Sequence, residues 1–208
     1  MRDHLTDHRS DDALVGEIAS GDETALTTLF RRRHRDVYGF ALHMTGSPAV
    51  ADDVTQETFV AVMRDAGRFD PGRATAIAWL CGIARNHARR RLEQERPARS
   101  IDDENGCAEI AGPAEDPVAD LTRAQDVDRL RRAVASLPVR YREPIVLCDL
   151  QELSYEDAAA ALGCAIGTIR SRLHRGRALL ASKLTAAGGT ADEPAHAAQA
   201  PRPARYST

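Results

Sequence analysis

The chain has 208 residues, a formal net charge of −3 and only 4% aromatic residues. Its length and interrupted composition favour two small domains over one large core. No apolar run reaches the about 18 residues that a membrane span needs, and no charged-then-apolar leader is present, so neither membrane insertion nor export is expected and the expected location is cytoplasmic.

In chain order, residues 1–10 read as a polar arm. Leu14, Val15 and Ile18 mark a first short helix closed by Gly21, and Ala25, Leu26, Leu29, Phe30, Val37, Phe40, Ala41 and Met44 mark a long second one. Ser47 as N-cap and Pro48 at the first helical position open a third helix that reaches about Ala66. Phe69, Asp70, Pro71 and Gly72 make a turn. A fourth helix is expected from about Arg73 to Glu95, with Ile77, Leu80, Cys81 and Ala84 facing inward and Trp79 packed in the core.

Residues 97–121 are rich in Pro, Gly, Asp and Glu, with few large apolar side chains to offset the entropy of ordering, and read as a flexible acidic linker. It follows a basic block of Arg85, Arg89, Arg90, Arg91, Arg96 and Arg99, so the small net charge hides segregated charges. A second helical domain is expected over 122–185. Its first helix should bury Leu121, Val127, Leu130 and Val134. Its next begins at Pro138, and Pro144 should kink that helix or mark its true start, because proline lacks the backbone donor. The tail, 186–208, is rich in Ala, Gly and Pro and is expected to be disordered. No run alternates with period 2, so the fold class is all-α.

The richest segment is Ser154 to Leu184. Ser154 as N-cap and Asp157 three positions on form an acidic variant of the capping box, and Gly163 suits the left-handed residue that ends a helix. Ile169, Leu173, Gly176 and Leu180 then recur as one apolar stripe of a second helix. Its other surface is basic: Arg170, His174 and Arg177 share an outward face, flanked by Arg172, Arg175 and Lys183. Two short helices joined by a glycine turn, the second one basic, form a helix-turn-helix suited to the major groove. Arg170 and Arg172 lie in the first turns, which approach base edges; Arg175 and Arg177 lie further along, toward phosphates.

Four cysteines, Cys81, Cys107, Cys148 and Cys164, have no metal-clip spacing and read as structural. With no glycine-rich phosphate loop, metal cluster or nucleophile motif in the sequence, neither a cofactor nor an enzymatic activity is expected.

The run AVADDVTQETFVAVMRDAGRFDPGRATAIAWLCGIARNHARRRL, together with LPVRYREPIVLCDLQELSYEDAAAALGCAIGTIRSRLHRGRALL, resembles the two domains of a bacterial extracytoplasmic-function (ECF) sigma factor. The resemblance covers about residues 11–96, as a region 2-like domain, and 122–185, as a region 4-like domain. It implies that Asp53, Gln56 and Glu57, spaced along one helical face, dock on the β′ clamp helices of core RNA polymerase. It implies that Phe69, Asp70, Arg73, Arg85, Asn86, Arg89 and Arg90 contact the −10 promoter element and capture an unstacked base. It implies that Thr168, Arg170, Ser171, Arg172, His174, Arg175 and Arg177 contact the −35 element. Promoter DNA, core polymerase and an anti-sigma factor are the implied partners. A stand-alone helix-turn-helix repressor is the other class; it would explain the second domain but leave the Asp53 to Glu57 face without a purpose.

Overall fold

A computed structural model describes residues 8–95 and 120–188; residues 1–7, 96–119 and 189–208, which hold the expected linker, Cys107 and most of the arm and tail, lie outside the described residues. Among the described residues every regular element is helical. Ser10 opens α1 (Asp11–Ala19) by accepting the Ala13 N–H at 3.1 Å. The last residues of the expected polar arm are tied down, because Arg32 donates to the Arg9 carbonyl at 2.7 Å and Arg9 pairs with Glu17. Asp22 caps α2 (Glu23–Thr45) through the Thr24 and Ala25 N–H groups. Ser47 and Pro48 open α3 (Pro48–Asp65) as the sequence predicts, and a 3-10 turn over Ala66–Arg68 follows.

Helix α4 (Ala76–Glu95) starts later than the sequence predicts. The Asp70 carbonyl accepts from the Arg73 and Ala74 N–H groups and its carboxylate from Gly72, so residues 70–74 close a turn of their own. The first free donor of α4, the Ala76 N–H, is then capped at 2.7 Å by Asp12 of α1. Leu14, Leu29, Phe40, Met44 and Leu80 are fully buried where these four helices meet.

The second unit contains α5 (Asp120–Ala135), α6 (Val139–Ile145), a π turn (Val146–Leu150), α7 (Tyr155–Leu162) and α8 (Ile166–Gly188). Three expectations are corrected here. Val127 is 42% exposed and Leu130 only half-buried against the core, while Val134 in the last turn of α5 is fully buried; the Leu121 side chain lies outside the described ones. Pro144 neither starts nor ends α6; the helix continues one residue past it and then widens into the π turn, where the hydrogen-bond register changes. Helix α8 runs three residues into the expected tail, and Arg129 donates to its Leu184 carbonyl at 2.5 Å.

Gly163 ends α7 at φ 62°, in the left-handed region where any other residue is strained. Gly176 serves contact instead: a Cβ there would lie 2.9 Å from Ile145 Cδ1 and 3.3 Å from Tyr141 Cβ, so any larger residue would force these α6 side chains to shift. Beneath them Ile145, Leu147, Leu162, Ile169 and Leu173 are buried. The two units touch, and the buried apolar residues form one cluster that runs from Leu14 in α1 to Leu173 in α8.

Candidate nucleic-acid interface

The helix-turn-helix is built as its residues dictate. Ser154 Oγ accepts the Asp157 N–H at 3.0 Å, and the Asp157 carboxylate receives the Ser154 hydroxyl at 2.9 Å, which fixes the start of α7. Ile169 and Leu173 turn inward, so Arg170, Ser171, His174 and Arg175 are exposed on the opposite side of α8, with Thr168 and Arg172 half-buried at its edge. Ser171 donates back to the Thr168 carbonyl at 3.0 Å. Arg177 is exposed but occupied: its Nη2 and Nε lie 2.6 Å and 3.0 Å from the two oxygens of Asp149. This forked contact, aided by a hydrogen bond with Tyr155, keeps the guanidinium charged more firmly than usual. Arg175 meets the Tyr141 hydroxyl, and that hydrogen bond first, helped by Arg140, pushes the phenol below its ordinary range.

The residues assigned to the −10 side do not share one surface. Arg85 and Arg89 lie one turn apart on the face of α4 that meets α6. Arg85 Nε donates to Glu143 Oε1 at 2.6 Å, and Arg89 Nη1 lies 3.9 Å from the same oxygen. Glu143 is 2% exposed. Asn86 and Arg90 lie on another face, about 100° around the helix, and line a cleft of about 320 Å³ with Trp79, Arg64 and Arg68. Trp79 is half-buried rather than enclosed; it packs on the core, lines that cleft and meets the Phe69 ring at 5.3 Å between centroids. Asp70 and Arg73 are exposed in the turn before α4.

On α3 the predicted acidic row is present but uneven. The Asp53 side chain is 55% exposed and Gln56 is exposed, whereas Glu57 is gripped by Arg91 of α4. His87 Nδ1 lies 2.8 Å from Glu57 Oε2. Burial pushes the Glu57 carboxyl up, but the Arg91 hydrogen bond and charge, joined by His87, outweigh it and hold the group below its ordinary range. These residues and Val60 line a cleft of about 430 Å³. Sequence reasoning missed Val60 and Met63, 62% and 61% exposed beside the acidic row. Their spacing matches an apolar stripe, and nothing in their type separates a docking residue from a core one. His87, Glu143 and Asp149 were equally absent from the sequence reading, and Arg91 entered it only as part of the basic block, since each matters through a partner distant in sequence.

Among the described residues no group of three or more His, Cys, Asp and Glu is placed to hold a metal ion, and no helix is long and apolar enough to cross a membrane. Burial pushes the Cys81 thiol up to about 12 and the Cys148 thiol up to about 11, opposite to what a reactive thiolate needs.

Two helical units, one ending in a basic helix-turn-helix, define a transcription-type DNA-binding protein. The sequence matches Sigma-70 region 2 over residues 29–97 and Sigma-70 region 4 over residues 128–180. It is 38% identical over 173 residues to the ECF RNA polymerase sigma factor SigE of Mycolicibacterium smegmatis, covering 76% of this chain and 62% of that one. It is 35% identical over 179 residues to the ECF sigma factor SigM of Mycobacterium tuberculosis, covering 85% of each. Among solved structures, CnrH in complex with the cytosolic domain of CnrY is similar at a TM-score of 0.66 and 28% identity, over 86% of this chain and 99% of that one. The sigma factor RpoE in complex with the anti-sigma factor NepR from Bartonella quintana is similar at a TM-score of 0.57 and 30% identity, over 75% and 94%. The chain belongs to the ECF family of RNA polymerase sigma factors. Its role is that of an alternative sigma factor, an initiation factor in promoter-specific transcription.

Proposed function

We propose that this chain binds core RNA polymerase through α3 and directs it to promoters by reading the −10 element with the α4 region and the −35 element with α8. The observation that carries the reading is the outward row of α3. Asp53, Gln56, Val60 and Met63 follow helical spacing and stay exposed, two of them large apolar side chains. A repressor acting alone has no use for such a row; a chain that must dock on a large partner does, because exposed apolar residues beside charged ones are the anchors of an interface.

The DNA-facing parts divide the work. On α8, Arg170, with Arg172 at its edge, is placed for base edges, and Arg175 and Arg177 for phosphates, assisted by Thr168, Ser171 and His174. At the other end, the cleft lined by Trp79, Asn86 and Arg90 offers an aromatic ring, an amide and a cation, the types that hold an unstacked base and its phosphate, with Phe69 against the Trp79 ring and Asp70 and Arg73 exposed in the turn before α4. The domain limits follow the same division: region 2-like over about 11–96, a linker from 97 to the start of α5 at Asp120, and region 4-like from there to the end of α8 at Gly188. The similarity to a sigma factor solved with its anti-sigma factor supports an anti-sigma partner here too, and a partner of core polymerase acts in the cytoplasm.

Run-off transcription with purified core polymerase on a promoter library tests the proposal. The chain should confer promoter-specific initiation and be inactive by itself, and Gln56→Ala with Met63→Glu should abolish competition for core. Tight, selective promoter binding that never alters initiation would return the protein to the repressor class.

A further inference from the structure

The contact between α4 and the helix-turn-helix unit has the chemistry of a latch. We propose that Glu143 is an internal substitute for a DNA phosphate, and that the unbound chain is held shut by Glu143 on Arg85. The inference rests on the −10 role proposed for the α4 region, which the family resemblance extends to Arg85.

Glu143 is an oddity for its place. It is 2% exposed, and the groups at hydrogen-bond or ion-pair distance from its carboxylate are Arg85 and Arg89 of the other helical unit. A carboxylate against a guanidinium through two oxygens has the geometry of a phosphate in the same place. Nearby, Thr75 Oγ1 donates to Asp157 Oδ1 at 2.7 Å, and Arg142 donates to the Met44 carbonyl. A Cβ on Gly82 of α4 would stand 3.4 Å from the Ala161 carbonyl oxygen of α7, so the backbones are close as well. The Arg85 side chain is left 17% exposed, and in this state it cannot meet DNA.

The closed contact is also incompatible with reading both elements together. Sites centred near −10 and −35 are about 25 base pairs apart, or about 85 Å along a duplex at roughly 3.4 Å per pair. Arg85 and Glu143 touch, and Glu143 sits in α6, whose Ile145 packs on Gly176 of the recognition helix. Opening must therefore precede or accompany promoter engagement. The chemistry suits a contact that opens: the attraction of the pair is offset by the hydration both partners give up, so phosphates can replace the carboxylate, whereas removing one partner leaves an uncompensated buried charge that opening relieves.

The test uses the full chain without polymerase. Small-angle scattering compares wild type with Glu143→Gln and with Arg85→Ala, each checked for helical content by circular dichroism. Both variants should have a larger radius of gyration than wild type measured under the same conditions. The second measurement is affinity for a single-stranded −10 oligonucleotide. If the closed state holds about nine chains in ten, Glu143→Gln should bind about tenfold more tightly. No expansion in either folded variant overturns the latch. Expansion without any gain in binding upholds the latch and overturns the −10 role of Arg85. Should Glu143→Gln fail to fold, expansion or compactness of Arg85→Ala decides.

Discussion

Helices α4 and α8 are of similar length, 20 and 23 residues, and both are rich in arginine, yet they present their charge differently. In α4, Arg85 is closed on Glu143 and Arg91 on Glu57 and Asp53, while Asn86 and Arg90 remain at a cleft. In α8, the first turns keep Arg170, His174 and Arg175 on the exposed side, and among the described residues Arg177 has a carboxylate at hydrogen-bond distance, Asp149. The charge of a helix is therefore not the charge it offers to DNA. A guanidinium with a carboxylate in contact contributes little potential beyond that pair, whereas one facing water keeps its full reach within the Debye length.

The sharpest break in the comparison lies within α8 itself. Leu173, 1% exposed under the helix-turn-helix, should cost about 2–5 kcal/mol of stability when changed to Ala. Arg170→Ala on the opposite side should change stability by less than about 0.5 kcal/mol. Chemical denaturation of the two variants checks the pair; similar losses would mean that α8 is not divided into a packing side and a reading side.

The next effect is on binding. Arg170→Ala should weaken binding to a −35 duplex by about 1–3 kcal/mol and relax preference at one position, while Arg175→Ala should weaken all sequences alike and lower the salt slope by about one. Binding to a randomised duplex at several salt concentrations distinguishes them. Uniform loss in every α8 variant, with no position relaxed, would replace direct readout by shape recognition.

The smallest effect concerns the paired charges of α4. Glu57 is held below its ordinary value near 4.5, so its pair with Arg91 adds stability above the unfolded value and loses it as pH falls through the lowered, folded one. Because the two side chains are 37% and 33% exposed, solvent limits the contribution to under about 1 kcal/mol. The difference in unfolding free energy between wild type and Arg91→Gln should be visible at neutral pH and vanish in acid. A difference that grows in acid would mean that Glu57 is not ionised by this contact.

What the sequence determined by itself is local. Ser47 with Pro48, Ser154 with Asp157 and Gly163 act within a turn of chain, and their caps and left-handed residue formed where read, because the partner group is three or four residues away. The apolar stripe of α8 and the shared face of Asp53, Gln56 and Glu57 were legible for the same reason: helical period alone fixes which side chains are neighbours. Only the tertiary structure decided the start of α4, which depends on a cap from Asp12, and the fate of each arginine. Arg85 meets its carboxylate 58 residues on, Arg91 34 residues back and Arg177 28 residues back. It alone decided that Val60 and Met63 stay in water while similar residues on the same helix are buried. Helical period places a side chain on a face, but which faces meet is set by packing among distant segments, and that packing determines whether a charge is spent on the protein or left for DNA.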